Sequence, residues 1–377
     1  MKIGIVCYPT FGGSGVVATE LGIGLAGKGH EVHFITYKRP VRLTTFHANV
    51  FFHEVTAMEY PLFEFAPYET ALASKLVDVI RFEKLDILHV HYAIPHAAVA
   101  YMSKQILKSK GIHIPIITTL HGTDITLVGT DSSFAPVVEF SINSSDGVTA
   151  VSHHLKEETL QTFQIKQDIR VIHNFIDFSR FRKTNKDHFK KAIAPDGEKI
   201  LVHISNFRKV KKVEDVVRIF EIVISKVSAK LLLIGDGPER NSMEELCRKL
   251  NICDHVRFLG KQEAVEEILA VSDLFILPSQ NESFGLAALE AMACEVPVIS
   301  SNAGGLPEVN IDGVTGYVCD IGDVTGMAKR CIELLEDDIS LAKFRKNAFS
   351  QAKKFDIHEI LPQYENYYLE VISKSQL

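Results

Sequence analysis

The sequence predicts an α/β protein built from two doubly wound domains. Three observations lead there. Short apolar, β-branched runs alternate with amphipathic helical stretches along the chain. The alternation starts afresh near residue 199, after a stretch with little periodicity. At roughly 150 residues per domain, 377 residues are enough for two.

The elements follow in order. Residues 2–7 form a continuous apolar run, as expected of a parallel strand buried on both faces. Runs at 31–36, 50–55, 87–91, 114–119, 147–151 and 169–172 read the same way. Between them, 16–27, 70–83 and 96–110 carry helical spacing. Residues 174–197 lack periodicity and are expected to hold the linker and the first turn of the second domain. Strands are then predicted at 199–204, 230–234, 256–259, 274–277 and 296–300, with helices at 213–227, 239–250, 264–270 and 284–293. Near the end, Ile357, Ile360, Leu361, Tyr364, Tyr367, Tyr368, Val371 and Ile372 recur at helical spacing. The expected division is 1–174 with a returning helix at 357–377, and 175–356. Two Rossmann-like domains of this kind face each other across a cleft, and ligands sit at the carboxyl ends of their strands.

Composition removes several classes. Lys plus Arg is 41 and Asp plus Glu is 47, a net charge of −6. Such a chain has no surplus of cations for general nucleic-acid binding. No apolar stretch approaches the 18 or so residues of a membrane span. The six cysteines form no CxxC pair, which favours reduced thiols and a cytoplasmic protein. The 2–8 run is too short for a signal-peptide core.

The loops after strands carry the chemistry. Gly12-Gly13-Ser14-Gly15 precedes a helix whose free N–H groups suit an anion. Gly13-x-Gly15-x-x-Ala18 fits a loose dinucleotide fingerprint, but the second strand runs into Tyr37-Lys38-Arg39 without the acid that ribose recognition needs. His121-Gly122-Thr123-Asp124 places polar groups at the end of another strand. His89, His91 and His96 surround Tyr92, yet no recognised metal-ligand spacing accompanies them, and no metal is expected. Ser205-Asn206-Phe207-Arg208-Lys209-Val210-Lys211-Lys212 is the one dense basic cluster and suits phosphate. Gly235-Asp236-Gly237-Pro238-Glu239 is a further turn before a helix.

The segment from Pro278 to Ala293 contains Glu282 and Glu290 eight residues apart. Ser283 fits an N-cap, which puts Glu282 in the loop and Glu290 about two turns along the helix. Eight helical residues rise about 12 Å. That span fits a hexose and a ribose held at either end of a diphosphate.

Together these segments, with Gly304-Gly305-Leu306-Pro307-Glu308, resemble family 4 of the retaining nucleotide-sugar glycosyltransferases, whose fold is GT-B. The resemblance spans essentially the whole chain. Cys7-Tyr8-Pro9, the glycine loop, His89 to His96, Thr118 to Thr126 and Ser205 to Lys212 resemble one branch of it. That branch implies UDP-GlcNAc as donor, L-malate as acceptor, retention of the α configuration and a place at the first step of bacillithiol biosynthesis. No cofactor is implied, and a homo-oligomer is compatible. The implied catalytic set is His121, Arg208, Lys211 and Glu282. Donor contacts are implied at Gly13, Ser14, Arg208, Lys211, Glu282, Ser283, Phe284, Gly285, Leu286 and Glu290. Acceptor contacts are implied at Gly13, Ser14, Arg42, Tyr92, Thr119 and Asn206. The family often has Gly-Arg where this chain has Ser205-Asn206, so the phosphate role passes to Arg208 with Lys211 or Lys212.

A lipid or sugar-phosphate acceptor is the alternative within the family. Lys38-Arg39-x-x-Arg42 is a short basic stretch for a membrane surface. A non-catalytic nucleotide-sugar-binding protein is the alternative of another class, and release of UDP separates it from an enzyme.

Overall fold

The computed structural model describes residues 1–10, 12–58, 64–184 and 186–375, without the side chain of Leu127. The chain divides into two compact units, Met1–Asn174 with Ile357–Leu377, and Phe175–Asp356.

In the first unit, β1 (Lys2–Val6), β2 (Glu31–Thr36), β3 (Val50–Glu54), β4 (Ile87–His91), β5 (Ile116–Leu120), β6 (Gly147–Ala150) and β7 (Ile169–Val171) pair in parallel. Their order is β3-β2-β1-β4-β5-β6-β7. The second unit holds β8 (Lys199–Ile204), β9 (Ala229–Ile234), β10 (Val256–Gly260), β11 (Leu274–Leu277), β12 (Val298–Ser301) and β13 (Gly316–Cys319), also parallel, in the order β10-β9-β8-β11-β12-β13. Each order reverses beside its first strand, between β1 and β4 and between β8 and β11. Loops leaving these strands diverge and open a crevice at the carboxyl edge of each sheet.

The strands form where the apolar runs place them because helices cover both faces. Every residue of β4, β5 and β11 is buried. Helix Val213–Ile224 buries Val213, Val216, Val217, Ile219, Phe220 and Val223 against the second sheet and carries Glu214 and Asp215 in its first turn, where the dipole favours acids.

Three differences from the sequence reading have physical causes. Strand β13 is four residues long and half covered, too short to stand out as a run. Helices Val324–Glu336 and Asp338–Ala352 start at acids that act as caps. Asp323 accepts from the Gly326 N–H at 2.8 Å, and Asp337 from those of Ile339 and Ser340. The stretch expected as a linker lies within the second unit beyond Asn174, and it contains helix Asp187–Ile193. Phe175 and Phe181, both buried, anchor it where periodicity is absent.

The final helix, Ile357–Ser375, belongs to the first unit. Leu361 packs so close to Gly24 that a Cβ there would lie 2.7 Å from its Cδ1. The Tyr367 hydroxyl accepts from the Val148 N–H at 3.0 Å, and the Tyr368 hydroxyl pairs with His89 Nδ1 at 2.7 Å. Among the described residues no helix is long and apolar enough to cross a membrane.

Candidate functional site

In the first unit, β1 runs into a turn capped by Gly12 ahead of helix Gly13–Gly27. A Cβ on Gly15 would lie 2.5 Å from the carbonyl oxygens of both Tyr8 and Thr10, so only glycine lets the turn close. Phe11 of this loop lies outside the described residues. Ser14 is half-buried, and its hydroxyl bonds the Tyr92 hydroxyl at 2.7 Å. That contact joins the loop after β1 to the loop after β4. Tyr92 holds φ at 85°, an unusual conformation for a bulky residue and one that aims its ring toward Ser14. Arg42 forms an ion pair with Glu20 on the helix.

The loop after β5 is organised by Asp124, which is buried. Its carboxylate accepts the N–H groups of Ala93 at 2.9 Å, Gly122 at 3.0 Å and His121 at 3.3 Å. Burial raises its pKa to about 6 against the pull of these donors. His121 is 8% exposed. Its Nε2 lies 2.8 Å from Nδ1 of His91, and its ring sits 5.2 Å from that of Tyr92. Burial lowers the pKa of His121 to about 3, so the ring is neutral at pH 7. It acts as a hydrogen-bond partner and not as a cation.

Thr119 departs from its expected place as an acceptor contact. Its side chain is wholly buried, and its hydroxyl is engaged by His89 Nε2 and Thr149 Oγ1, both at 2.6 Å. Both faces of β5 are covered, so a threonine one residue before the strand end does not reach a ligand.

In the second unit, β8 ends at a loop held from beneath. Buried His203 bonds the Ile276 carbonyl through Nδ1 and the Ser205 hydroxyl through Nε2, each at 2.8 Å. Burial lowers its pKa to about 4, leaving a neutral bridge between β8 and β11. Asn206 and Arg208 are exposed beyond it. A 3-10 turn, Lys209–Lys211, follows, and the Gln280 N–H donates to the Val210 carbonyl at 2.8 Å, tying the basic loop to the loop after β11.

Lys211 and Glu282 meet at 2.6 Å, and the Ser279 hydroxyl donates to the same Oε1 of Glu282 at 2.9 Å. Among the described residues Oε2 of Glu282 carries no such bond. The backbone of Glu282 is fixed too. Its carbonyl accepts the Gly305 N–H at 2.8 Å, and a Cβ on Gly304, at φ 56°, would lie 2.0 Å from that oxygen. The Gly304-Gly305 pair is therefore the rest on which the Glu282 loop sits.

The helix begins later than its sequence suggested. Gly285, at φ 93°, is the N-cap of Leu286–Ala293, so Ser283 is not the cap. Glu290 stands just over one turn into the helix, and Glu282 to Gly285 is loop. The 12 Å helical rise therefore does not describe this pair. Phe284 is 2% exposed with its ring against Phe355 at 5.5 Å, so only its backbone is offered outward. Glu290 is 7% exposed.

The structure thus brings Gly13, Ser14, Tyr92 and His121 into one neighbourhood of the first unit. It brings Lys211, Glu282 and the Leu286 helix start into one neighbourhood of the second. Sequence reasoning named His91 only in weighing a metal and gave Ser279 and His203 no role; they buttress His121, Glu282 and the Ser205 turn respectively. Ser279 had a signal, since Ser-x-x-Glu spacing lets a hydroxyl reach the acid three residues on.

Solved structures share this architecture. Sucrose-phosphate synthase from Thermosynechococcus elongatus superposes over 99% of both chains with a TM-score of 0.83 at 20% identity. Anabaena Alr3699/HepE in complex with UDP-glucose superposes over 99% of this chain and 100% of its own, with a TM-score of 0.80 at 21% identity. Two parallel doubly wound units of this form define the class, the GT-B glycosyltransferase fold. The profile of Glycosyltransferase Family 4 matches residues 11–180, and that of Glycosyl transferases group 1 matches 184–351. N-acetyl-alpha-D-glucosaminyl L-malate synthase of Bacillus anthracis is 50% identical over 99% of this chain and 97% of its own length. The chain belongs to glycosyltransferase family 4.

Proposed function

We propose that this enzyme transfers N-acetylglucosamine from UDP-GlcNAc to the hydroxyl of L-malate, with retention of the α configuration, as the first step of bacillithiol biosynthesis. The observation that carries the reading is the 50% identity to the Bacillus anthracis synthase across 99% of the chain.

In the second unit the β-phosphate of UDP meets Arg208, Lys211 and the N–H groups at the helix start near Leu286, with Ser283, Phe284 and Gly285 offering backbone. Lys212 does not take the phosphate role in this reading, because it sits at the left-handed junction between the 3-10 turn and the next helix. Glu282 accepts hydroxyls of the hexose through Oε2. Glu290 accepts those of the ribose. Asn206, exposed in the same loop, is assigned to the acceptor.

In the first unit, the Gly13 and Ser14 loop, Tyr92 and Arg42 take the two malate carboxylates. Arg42 pairs with Glu20 in the structure, so a malate carboxylate competes with Glu20 for its guanidinium. His121 hydrogen-bonds as a neutral ring.

Transfer breaks the bond from the anomeric carbon to the β-phosphate oxygen and forms one to the malate oxygen on the same face. The departing phosphate takes the malate hydroxyl proton. Charge developing on that phosphate is stabilised by fixed donors and cations, the arrangement that lowers a barrier without reorganisation. The experiment is a screen of hydroxy acids and sugar phosphates with UDP-GlcNAc, read by UDP release. Release that requires L-malate supports the assignment. Release with a sugar phosphate and none with malate moves the acceptor to that alternative, and binding without release makes the protein a carrier.

A further inference from the structure

Strand β3 is the edge of the first sheet, and β2 lies next to it. Their register pairs His33 with Phe51 and Ile35 with His53. Residues 33, 35, 51 and 53 therefore share one sheet face. Helix Tyr68–Glu83 packs on that side through Leu72, Leu76 and Ile80, in one core with Ile35, and ends at Glu83. The topology thus gathers residues 33, 53 and 83, which no sequence spacing connects.

We propose that His33, His53 and Glu83 form a binding site for one divalent transition-metal ion of the Zn²⁺ type, separate from the transfer chemistry. One donor atom from each of the three lies within 4.8 Å of the others. His33 Nδ1 and His53 Nε2 are 3.0 Å apart. Two nitrogens bound to one tetrahedral ion at about 2.0–2.1 Å stand about 3.4 Å from each other, so an ion enters with a shift of a few tenths of an ångström. Two imidazoles, one carboxylate and a fourth position for water make a set that favours zinc over calcium or magnesium.

A second observation points the same way. His33 is fully buried, and its Nε2 has no hydrogen-bond partner. The nearest carboxylate to it, Oε2 of Glu31, lies 3.9 Å away and is itself held by Lys2 at 2.7 Å. When Nδ1 binds a metal, the ring proton must sit on Nε2. Closing from 3.9 Å to about 2.9 Å would then bond it to Glu31, the carboxylate–histidine–metal relay that orients ligand histidines. The Phe51 ring, stacked on His33 at 4.8 Å, fixes the imidazole plane. Burial lowers the pKa of both rings; at His33 the neighbouring His53 and Lys2 add to this while Glu83 and Glu31 oppose it, and at His53 Glu83 opposes it while Lys75 adds. Neutral rings are the form that ligates.

The ion would pin the end of a covering helix to the sheet edge and stabilise the first unit by mass action. The test uses the full chain stripped of metal and titrated with Co²⁺, whose visible ligand-field bands report coordination, and then with Zn²⁺. One equivalent of Co²⁺ with low-coordinate bands, displaced by Zn²⁺ and accompanied by a rise in Tm, is expected. His53→Gln, at a half-exposed position, removes that equivalent while the protein stays folded. Glu31→Gln weakens affinity about 10–100-fold. An unchanged equivalent in His53→Gln overturns the assignment, as does its loss in Cys253→Ser, which would place the ion at the exposed thiol. UDP-GlcNAc turnover, equal with and without Zn²⁺, separates this site from the donor site.

Discussion

Glu282 and Glu290 are eight positions apart and live in different surroundings. Glu282 is held in a loop by Lys211 and Ser279, while Glu290 is almost buried on a helix. In the proposed arrangement, replacing Glu290 with Ala removes a hydrogen bond to a charged acceptor, worth about 1.5–3 kcal/mol. UDP and UDP-GlcNAc should therefore both bind about 10–100-fold more weakly by calorimetry, since both carry the ribose. Glu282→Ala should leave UDP affinity equal or higher, because Lys211 loses its partner and faces phosphate alone, while turnover with UDP-GlcNAc falls. Equal losses of both ligands in both variants would remove this division of labour. The sequence pointed to candidate side chains wherever a charged or glycine-rich cluster followed an apolar strand. It did not reveal that Thr119 is enclosed, because a threonine at a strand end looks the same whether or not a helix covers it. Nor did it place the N-cap, since Ser283 and Gly285 both suit a helix start and only the packing of Phe284 decides between them.

Among the elements, the last helix carries the clearest energetic statement. Tyr364 and Tyr368 are fully buried, and Ile360, Leu361, Tyr367 and Val371 nearly so, all within the first unit. At about 1.5–3 kcal/mol for each buried side chain, their burial sums to the order of 10 kcal/mol, comparable with the stability of a domain. A chain ending at Asp356 should lose its cooperative thermal transition and bind a hydrophobic dye. Tyr368→Phe is the gentler counterpart. It keeps the ring, removes the bond to His89 and should cost about 1 kcal/mol in urea unfolding. A truncated chain with an unchanged Tm would show the helix to be dispensable. Long periodic elements such as this one were legible because burial on one face writes itself into spacing. Strand β13 and the helices from Val324 to Ala352 were not, since their boundaries depend on caps and on partners far along the chain.

For the whole molecule, the buried histidines set the response to acid. Burial lowers the pKa to about 3 for His89 and His121, to about 4 for His96 and His203, and well below 6.5 for His91. A depressed folded pKa contributes stability that is present above the unfolded value of 6.5 and lost as pH falls toward the folded one. Each ring should therefore cost about 1.4 kcal/mol per pH unit below 6.5. Asp124 acts in the opposite sense. Its pKa is raised to about 6, so the folded state regains stability as pH drops from 6 toward 4, and one carboxyl offsets part of what several rings lose. Urea unfolding should show stability falling between pH 6.5 and 4.5, and a flat profile there would contradict the buried neutral rings. Transfer should persist in EDTA, because in the proposed arrangement Arg208, Lys211 and the Leu286 helix start supply the positive charge at the phosphate. Loss of activity restored by a divalent ion would overturn that. Retaining transfer of N-acetylglucosamine to malate is checked by the NMR spectrum of the purified product. An α-configured anomeric proton is expected on a sugar joined through the malate hydroxyl oxygen, with one UDP formed per product. A β-configured product, or malate recovered unglycosylated while UDP accumulates, would contradict it.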